Sequence, residues 1–439
     1  MLTALLAFAV SVSILVPLSA SADDAAVLPK GRFGFGLEDR FFFPYDQRFG
    51  PDGKAEDLAA AFNNRRLDSS VFPNLAALNP LVPGGVASIG DSRVHFEYTE
   101  NLLLFTGAYG VTDRLSVGFE IPYYWVHNEV EASVNSDPGS SANVGLRTGP
   151  GAGPCALPVA VLPLACPNTR RFTTDDVQQI LGPGIPGIQG FGFKRIENFS
   201  DEGVGDITLA AKYQYLRTED WRLAATIGVR MPTGRQDDPD NLSDIAWSTG
   251  AWILQARLHQ DYIISNLWRS TPSPATSTPR PLGAGDMLLN LTLRYDWFLP
   301  DRLTIRAGEE NALPTHRAKV TRDIGDRFEV EFGARYFIWA PFSVSALYRY
   351  VFKLEDRIDG PGNFPHNLAE EDSDSHEHIY IVQANYSTVP LYAQGRFPIP
   401  MNVFLTFRER FAGAGTTASG SPSQVPKTQY IGIGVQVFF

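Results

Sequence analysis

Residues 431–439 read IGIGVQVFF, and their period decides the fold. Ile431, Ile433, Val435, Val437 and Phe439 are apolar, while Gly432, Gly434 and Gln436 between them are small or polar. A strand with this pattern turns one face to an apolar medium and the other to a wet interior. A period-two strand with a terminal aromatic is what the closing strand of an outer-membrane β-barrel requires, and its expected partner is the barrel-assembly machinery. A soluble edge strand can carry the same pattern, so the remaining segments must decide.

Alternation over about ten residues, the length of a tilted transmembrane strand, recurs along the chain. Leu115, Val117, Phe119, Ile121, Tyr123 and Trp125 oppose Arg114, Ser116, Gly118 and Glu120. Phe328, Val330, Phe332, Ala334, Tyr336 and Ile338 oppose Glu329, Glu331 and Arg335, and the runs 206–215, 221–231, 286–297 and 342–352 repeat the pattern. A charge facing lipid at mid-bilayer costs about 2–4 kcal/mol, and these apolar faces carry none. Tyr and Trp gather at their ends, where headgroups belong.

Strands are expected near 31–43, 92–109, 114–127, 203–217, 221–231, 244–258, 261–270, 285–299, 302–313, 327–339, 342–353, 376–387, 401–411 and 428–439. The fold class is therefore all-β, a transmembrane antiparallel barrel of about fourteen strands, with twelve as the alternative count. Tight hairpins are expected at Thr112-Asp113-Arg114-Leu115, Glu219-Asp220-Trp221-Arg222-Leu223 and Pro300-Asp301-Arg302-Leu303. Ile89-Gly90-Asp91, Gly203-Val204-Gly205-Asp206, Gly283-Ala284-Gly285-Asp286 and Ile324-Gly325-Asp326 open strands after long loops. Short turns alternating with long loops place the turns in the periplasm.

Composition agrees. No stretch after residue 22 nears the roughly 18 apolar residues of a membrane helix, so a membrane protein of this sequence crosses as strands. The formal charge of -11, without a Lys/Arg run, excludes a nucleic-acid partner. Residues 1–22 read as a signal peptide, with an apolar core, a site at Ala20-Ser21-Ala22 and Asp23-Asp24 beyond it, though no Lys or Arg precedes the core. Residues 23–439 are then the barrel, with long external loops near 44–90, 129–202 and 354–375. Residues 54–66 have helical composition and suit a short lid or plug. Cys155 and Cys166 share one Pro-rich segment, and an exported chain meets oxidising conditions, so a loop disulfide is expected.

The early segment FFFPYDQRFGPDGK (41–54), the hairpin YGVTDRLSVGFEIPYYWV (109–126), the opener GVGDITLAAKYQYL (203–216) and RMPTGRQDD (230–238) resemble the outer-membrane transporter-like family named for the MetA pathway of phenol degradation. The resemblance runs from about residue 31 to the end, with loop 129–202 and the stretch 271–282 unmatched. It implies an outer-membrane barrel with a role in uptake of aromatic compounds, and defines no catalytic or binding residue.

Three sets of side chains are candidates for chemistry. His376 and His378 share a strand face after an acidic run and could clamp a divalent ion, but no third ligand is indicated and a solvated acidic loop explains the run. His95, His127 and His259 lie near strand ends without a nucleophile motif, so no catalytic residue and no cofactor are expected. The third set is the strongest: Arg114, Glu120, Arg222, Arg230, Arg294, Asp296, Glu329, Glu331, Arg335, Arg349, Arg408 and Arg410 face the interior. Mixed rings of charge tune which solutes cross a wet barrel. These features suit a bacterial outer-membrane channel or transporter for small molecules, hydrophobic or aromatic ones by the family resemblance, with lipid around it. The alternative is a plugged barrel serving adhesion or envelope structure.

Overall fold

The computed structural model describes residues 24–60, 62–82, 84–136, 144–149, 151, 153–156, 168–186, 188–268, 282–308, 313–371, 373–415 and 425–439. Twelve antiparallel strands make the wall: β1 Phe33–Phe42, β2 Asp91–Thr112, β3 Leu115–Asn135, β4 Ile207–Arg217, β5 Trp221–Met231, β6 Ile253–Tyr262, β7 Met287–Phe298, β8 Arg327–Trp339, β9 Phe342–Lys353, β10 Ser375–Ser387, β11 Met401–Gly415 and β12 Gln429–Phe438. Each pairs with its chain neighbours, and β12 returns to β1 from Gly34↔Phe438 to Phe42↔Tyr430. The sheet is thus a closed barrel, and closure satisfies every ladder at once. One further short strand, Phe199–Val204, lies along the upper part of β3.

The predicted facing is what closes the wall. On β8, Phe328, Phe332, Tyr336 and Ile338 are exposed on the outer surface, whereas Glu329, Glu331 and Arg335 are buried. Ile227 at 69% exposed, Leu405 at 52% and Ile433 at 52% belong to the same outward belt, a surface that only lipid covers without cost.

One end carries the tight hairpins. Thr112 accepts the Leu115 amide through its hydroxyl (2.9 Å), and Thr218 does the same for Trp221 (2.9 Å). The first wall strand begins and the last ends on this side, near Phe33 and Phe439, as an even strand number demands. The opposite, external side carries the other long connections, that between β6 and β7 excepted.

The count is twelve, and four strand and turn expectations need correction. Residues 244–258 and 261–270 hold one wall strand, β6, followed by a short 3-10 turn, Ile264–Trp268. The strand expected at 302–313 does not enter the wall over its described residues: Asp301–Ala307 pairs with His316–Asp323, which pairs with Arg357–Asp359, in a separate external sheet, and 309–312 lie outside the described residues. Pro300-Asp301-Arg302-Leu303 is accordingly the start of that sheet and no tight hairpin. Its alternation is real, because Ala307, Val320, Ile358 and Phe364 form a small core of their own. Gly283-Ala284-Gly285-Asp286 opens β7 from the short-turn side, unlike the other three glycine-rich openers.

The external loops fold into a cap. Leu67, Phe72, Ile89, Phe172, Val177, Ile180, Leu181 and Leu313, from three connections, share one apolar core. The helix α1, Thr174–Leu181, enters this core on a capping box: Asp176 N donates to the Thr173 hydroxyl and the Thr173 N–H donates to the Asp176 carboxylate. Residues 54–66 are not helical. Ala55–Asp57 is a short strand against Gln47–Phe49, and Leu58 and Ala59 are drawn down onto Val94 and Phe96 of β2, so packing overrides the Ala-rich propensity. Cys155 is buried on the strand Gly153–Ala156; Cys166 lies outside the described residues.

Candidate functional site in the barrel lumen

Residues two apart on one strand, or opposite on neighbouring strands, share a barrel face, and this spacing assembles the lumen's charges. Asp296 is wholly buried on β7 and accepts from Arg294 (2.6 Å) and from Arg327 at the head of β8 (2.6 Å). Glu329 joins the same two guanidiniums at 3.4 and 3.3 Å. Arg349 on β9 reaches across to Glu331 (2.6 Å), Arg410 on β11 to Glu377 on β10 (2.7 Å), and Arg40 to Glu38 (2.9 Å). Charged hydrogen bonds of this length are strong, and the bidentate arginines are held rigidly.

Two arginines differ. Arg230 shares a rung with Thr208 and Glu120, and its Nε donates to the Thr208 hydroxyl at 3.3 Å. Arg408 lies over the Tyr430 ring at 5.6 Å, with Arg40 at 5.4 Å from the same ring. Among the described residues no carboxylate forms an ion pair with either. Glu100 on β2 lies within the electrostatic reach of Arg40, Arg408 and Arg410, and among the described residues it forms no ion pair.

Below these charges the lumen is filled. Residues 24–28 enter from the short-turn side, and all five are buried. The Ala25 amide donates to Asp261 (3.1 Å) and the Leu28 amide to Ser116 (2.8 Å), while Gln214 and Lys212 donate to the carbonyls of Ala25 (2.7 Å) and Asp24 (2.8 Å). Arg335 stands 3.9 Å from the Asp24 carboxylate. Leu28 packs on Phe438 and Val389. Arg222 is buried at this level, near Asp261 and Asp24. Residues 24–28, a segment too short to show a period, thus occupy the lumen from below, whereas 54–66, expected as a lid or plug, lie at the external end.

The inward set therefore divides. Arg294, Asp296, Glu329, Glu331 and Arg349 come together in one network and Arg410 pairs with Glu377; Glu120, Arg230 and Arg408 line the lumen without an ion pair among the described residues; Arg222 and Arg335 surround residues 24–28. Arg114 does not belong: it sits exposed in the turn before β3, where the strand period has not begun. Sequence reading missed Glu38, Arg40 and Glu377, although each follows the same two-residue spacing as the residues it found.

The histidines stand apart from the lumen network. His376 and His378 lie on the outward face of β10, and His378 bonds the Tyr348 hydroxyl (2.6 Å). No group of three metal-ligating side chains occurs among the described residues. His95 contacts Asp57 (3.3 Å), His127 the Ser200 hydroxyl (2.7 Å), and His259 lies between the hydroxyls of Thr226 (2.8 Å) and Thr292 (3.5 Å).

A closed barrel with an apolar belt, tight turns at one end, long loops at the other and a charged lumen defines a bacterial outer-membrane β-barrel. The family described as "Putative MetA-pathway of phenol degradation" matches over residues 170–268. Among solved structures the chain is similar to an outer membrane channel from Pseudomonas putida F1, at 14% identity and a TM-score of 0.49, covering 96% of this chain and 100% of that one. It is also similar to the Ralstonia pickettii toluene transporter TbuX (10% identity, TM-score 0.35, 94% and 90% covered) and to a Pseudomonas aeruginosa FadL homologue (8%, 0.30, 93% and 90%). No curated protein sequence matches.

Proposed function

We propose that the protein is an outer-membrane channel for small molecules of hydrophobic or aromatic character, held closed by residues 24–28. The inward face of β2 carries the reading. Val94, Phe96, Leu102 and Leu104 are buried there, with Tyr98 between them, and Glu100 alone interrupts the series. A hydrophilic pore presents polar groups inward, so an apolar ladder from cap to lumen suits solutes that leave water readily. Charge on the other strands then sets what accompanies them.

The test is uptake into liposomes holding the purified barrel, with toluene-sized aromatic solutes against sugars of similar mass. Aromatic solutes should enter faster than through protein-free bilayers, and Leu102→Glu should abolish the gain while leaving the folded yield unchanged. Equal entry with and without protein counts against transport. The filled lower lumen favours a second reading, a plugged barrel with an adhesive or structural role. Deleting residues 24–27 separates the two: a channel gains conductance, whereas a structural barrel whose remaining lumen is packed does not.

A further inference from the structure

The cap core is incompletely filled. Beneath the loops lies a cavity of about 70 Å3 lined by Val94 and Phe96 of β2, by Val177 and Leu181 of α1, and by Phe62, Leu67 and neighbouring apolar side chains. Most of its polar neighbours are already engaged: Gln178 bonds both backbone groups of Ile196 (3.0 Å each), Ser92 donates to the Phe62 carbonyl (2.5 Å) and Thr174 accepts the Val134 amide (3.1 Å). Arg65 is different. It lines the cavity, and its Nε is buried with no hydrogen-bond partner. A buried donor without a partner is costly in an apolar setting, and an acceptor brought in by a ligand removes that cost.

We propose that this cavity is a binding site in the external cap for a small neutral solute with a slim apolar body and one hydrogen-bond acceptor oxygen. The occupant's size follows from the volume: an apolar cavity of about 150 Å3 holds benzene, so 70 Å3 admits a chain of two or three carbons, or the slim end of something longer. A cation is excluded because Arg65 is the one charged side chain in the lining, and a neutral acceptor spares the apolar remainder the cost of stripping water from an ion. The placement is functional as well as roomy. Val94 and Phe96 head the inward series on β2, so a solute in the cavity stands at the top of the ladder leading into the lumen. The proposal deepens the channel reading and rests on it for its biological sense, but the binding itself does not require conduction.

The experiment uses the full-length folded barrel in detergent, with heat-shifted migration in SDS as the control for folding. Xenon pressurisation of crystals should place xenon among Val94, Val177 and Leu181. Saturation-transfer NMR should show propan-1-ol bound, at least tenfold more weakly in Arg65→Met and not at all in Val177→Phe, which fills the space; propylammonium should not bind. Absence of both xenon and propan-1-ol from the wild type overturns the site. Xenon binding with propan-1-ol affinity unchanged in Arg65→Met overturns the role given to the acceptor. Failure of aromatic uptake in liposomes with binding intact would overturn the channel reading alone.

Discussion

At the scale of single residues, the two sides of β8 make opposite demands. Phe332 is 52% exposed towards lipid, so Phe332→Arg should cost about 2–4 kcal/mol of folding free energy, seen as a lower urea midpoint for the heat-shifted band. Facing alone would make Glu331→Arg harmless. The ion pair changes that expectation: the substitution sets a second guanidinium against Arg349, and breaking a buried pair costs about 3–5 kcal/mol. The swap Glu331→Arg with Arg349→Glu should restore most of the loss, and a swap no better than the single variant would refute the pairing. Arg408, with no carboxylate to break, is the cleaner probe of transport. Arg408→Glu should leave the folded yield nearly unchanged and move reversal potentials in a salt gradient towards cation selectivity.

At the scale of elements, α1 supplies a pH test. Burial by itself would raise the Asp176 carboxyl, but the Arg170 guanidinium (2.7 Å) and the Thr173 amide and hydroxyl (2.8 Å each) outweigh it and hold it at about 2. A carboxyl depressed in the folded state stabilises it above the ordinary value near 4, and that contribution disappears as pH falls towards 2. Between pH 4 and 2 the cap around α1 should lose about 2 kcal/mol. Hydrogen-exchange protection over residues 174–181, relative to the intrinsic rate at each pH, should fall across that interval in the wild type and not in Asp176→Asn, which lacks the titrating group.

Elements also show where the sequence was readable. Strands β8 and β9 were legible because water on one side and lipid on the other impose a strict period of two. That same period appeared in 302–313, where it arises from a loop sheet with a private core, so alternation identified a strand without telling which sheet owned it. Residues 244–270 split wrongly because loop residues before β6 and the 3-10 turn after it are as apolar as a strand end. The partners of the inward charges could not be read at all, since facing follows from period while pairing follows from register between distant segments. Residues 24–28 gave no signal, because their place in the lumen depends on Asp261, Ser116, Gln214 and Lys212, each about 90 residues or more away in the chain.

At the scale of the whole molecule, closure ties all twelve ladders together. The folded protein should resist SDS at room temperature and migrate differently after boiling, and a single unshifted band would contradict the barrel. The seam is held at its end by reciprocal bonds, Phe33 N–H to the Phe439 carbonyl (3.1 Å) and Phe439 N–H to the Phe33 carbonyl (2.9 Å). Removing Phe439 deletes both, and the truncated chain should show a lower boiling threshold for the band shift while keeping the same strand content by circular dichroism.

The stopper in the lumen is also on a leash. Only residues 29–32 separate its seat at Leu28 from the wall at Phe33, a reach of about 18 Å when fully stretched. Once dislodged, it therefore stays at an effective concentration on the order of millimolar over its own seat. Resealing is then a unimolecular event, and its dwell times in single-channel records should not vary with the amount of protein in the bilayer. A free peptide of the same sequence, added from the tight-turn side, would have to reach that concentration before it competed.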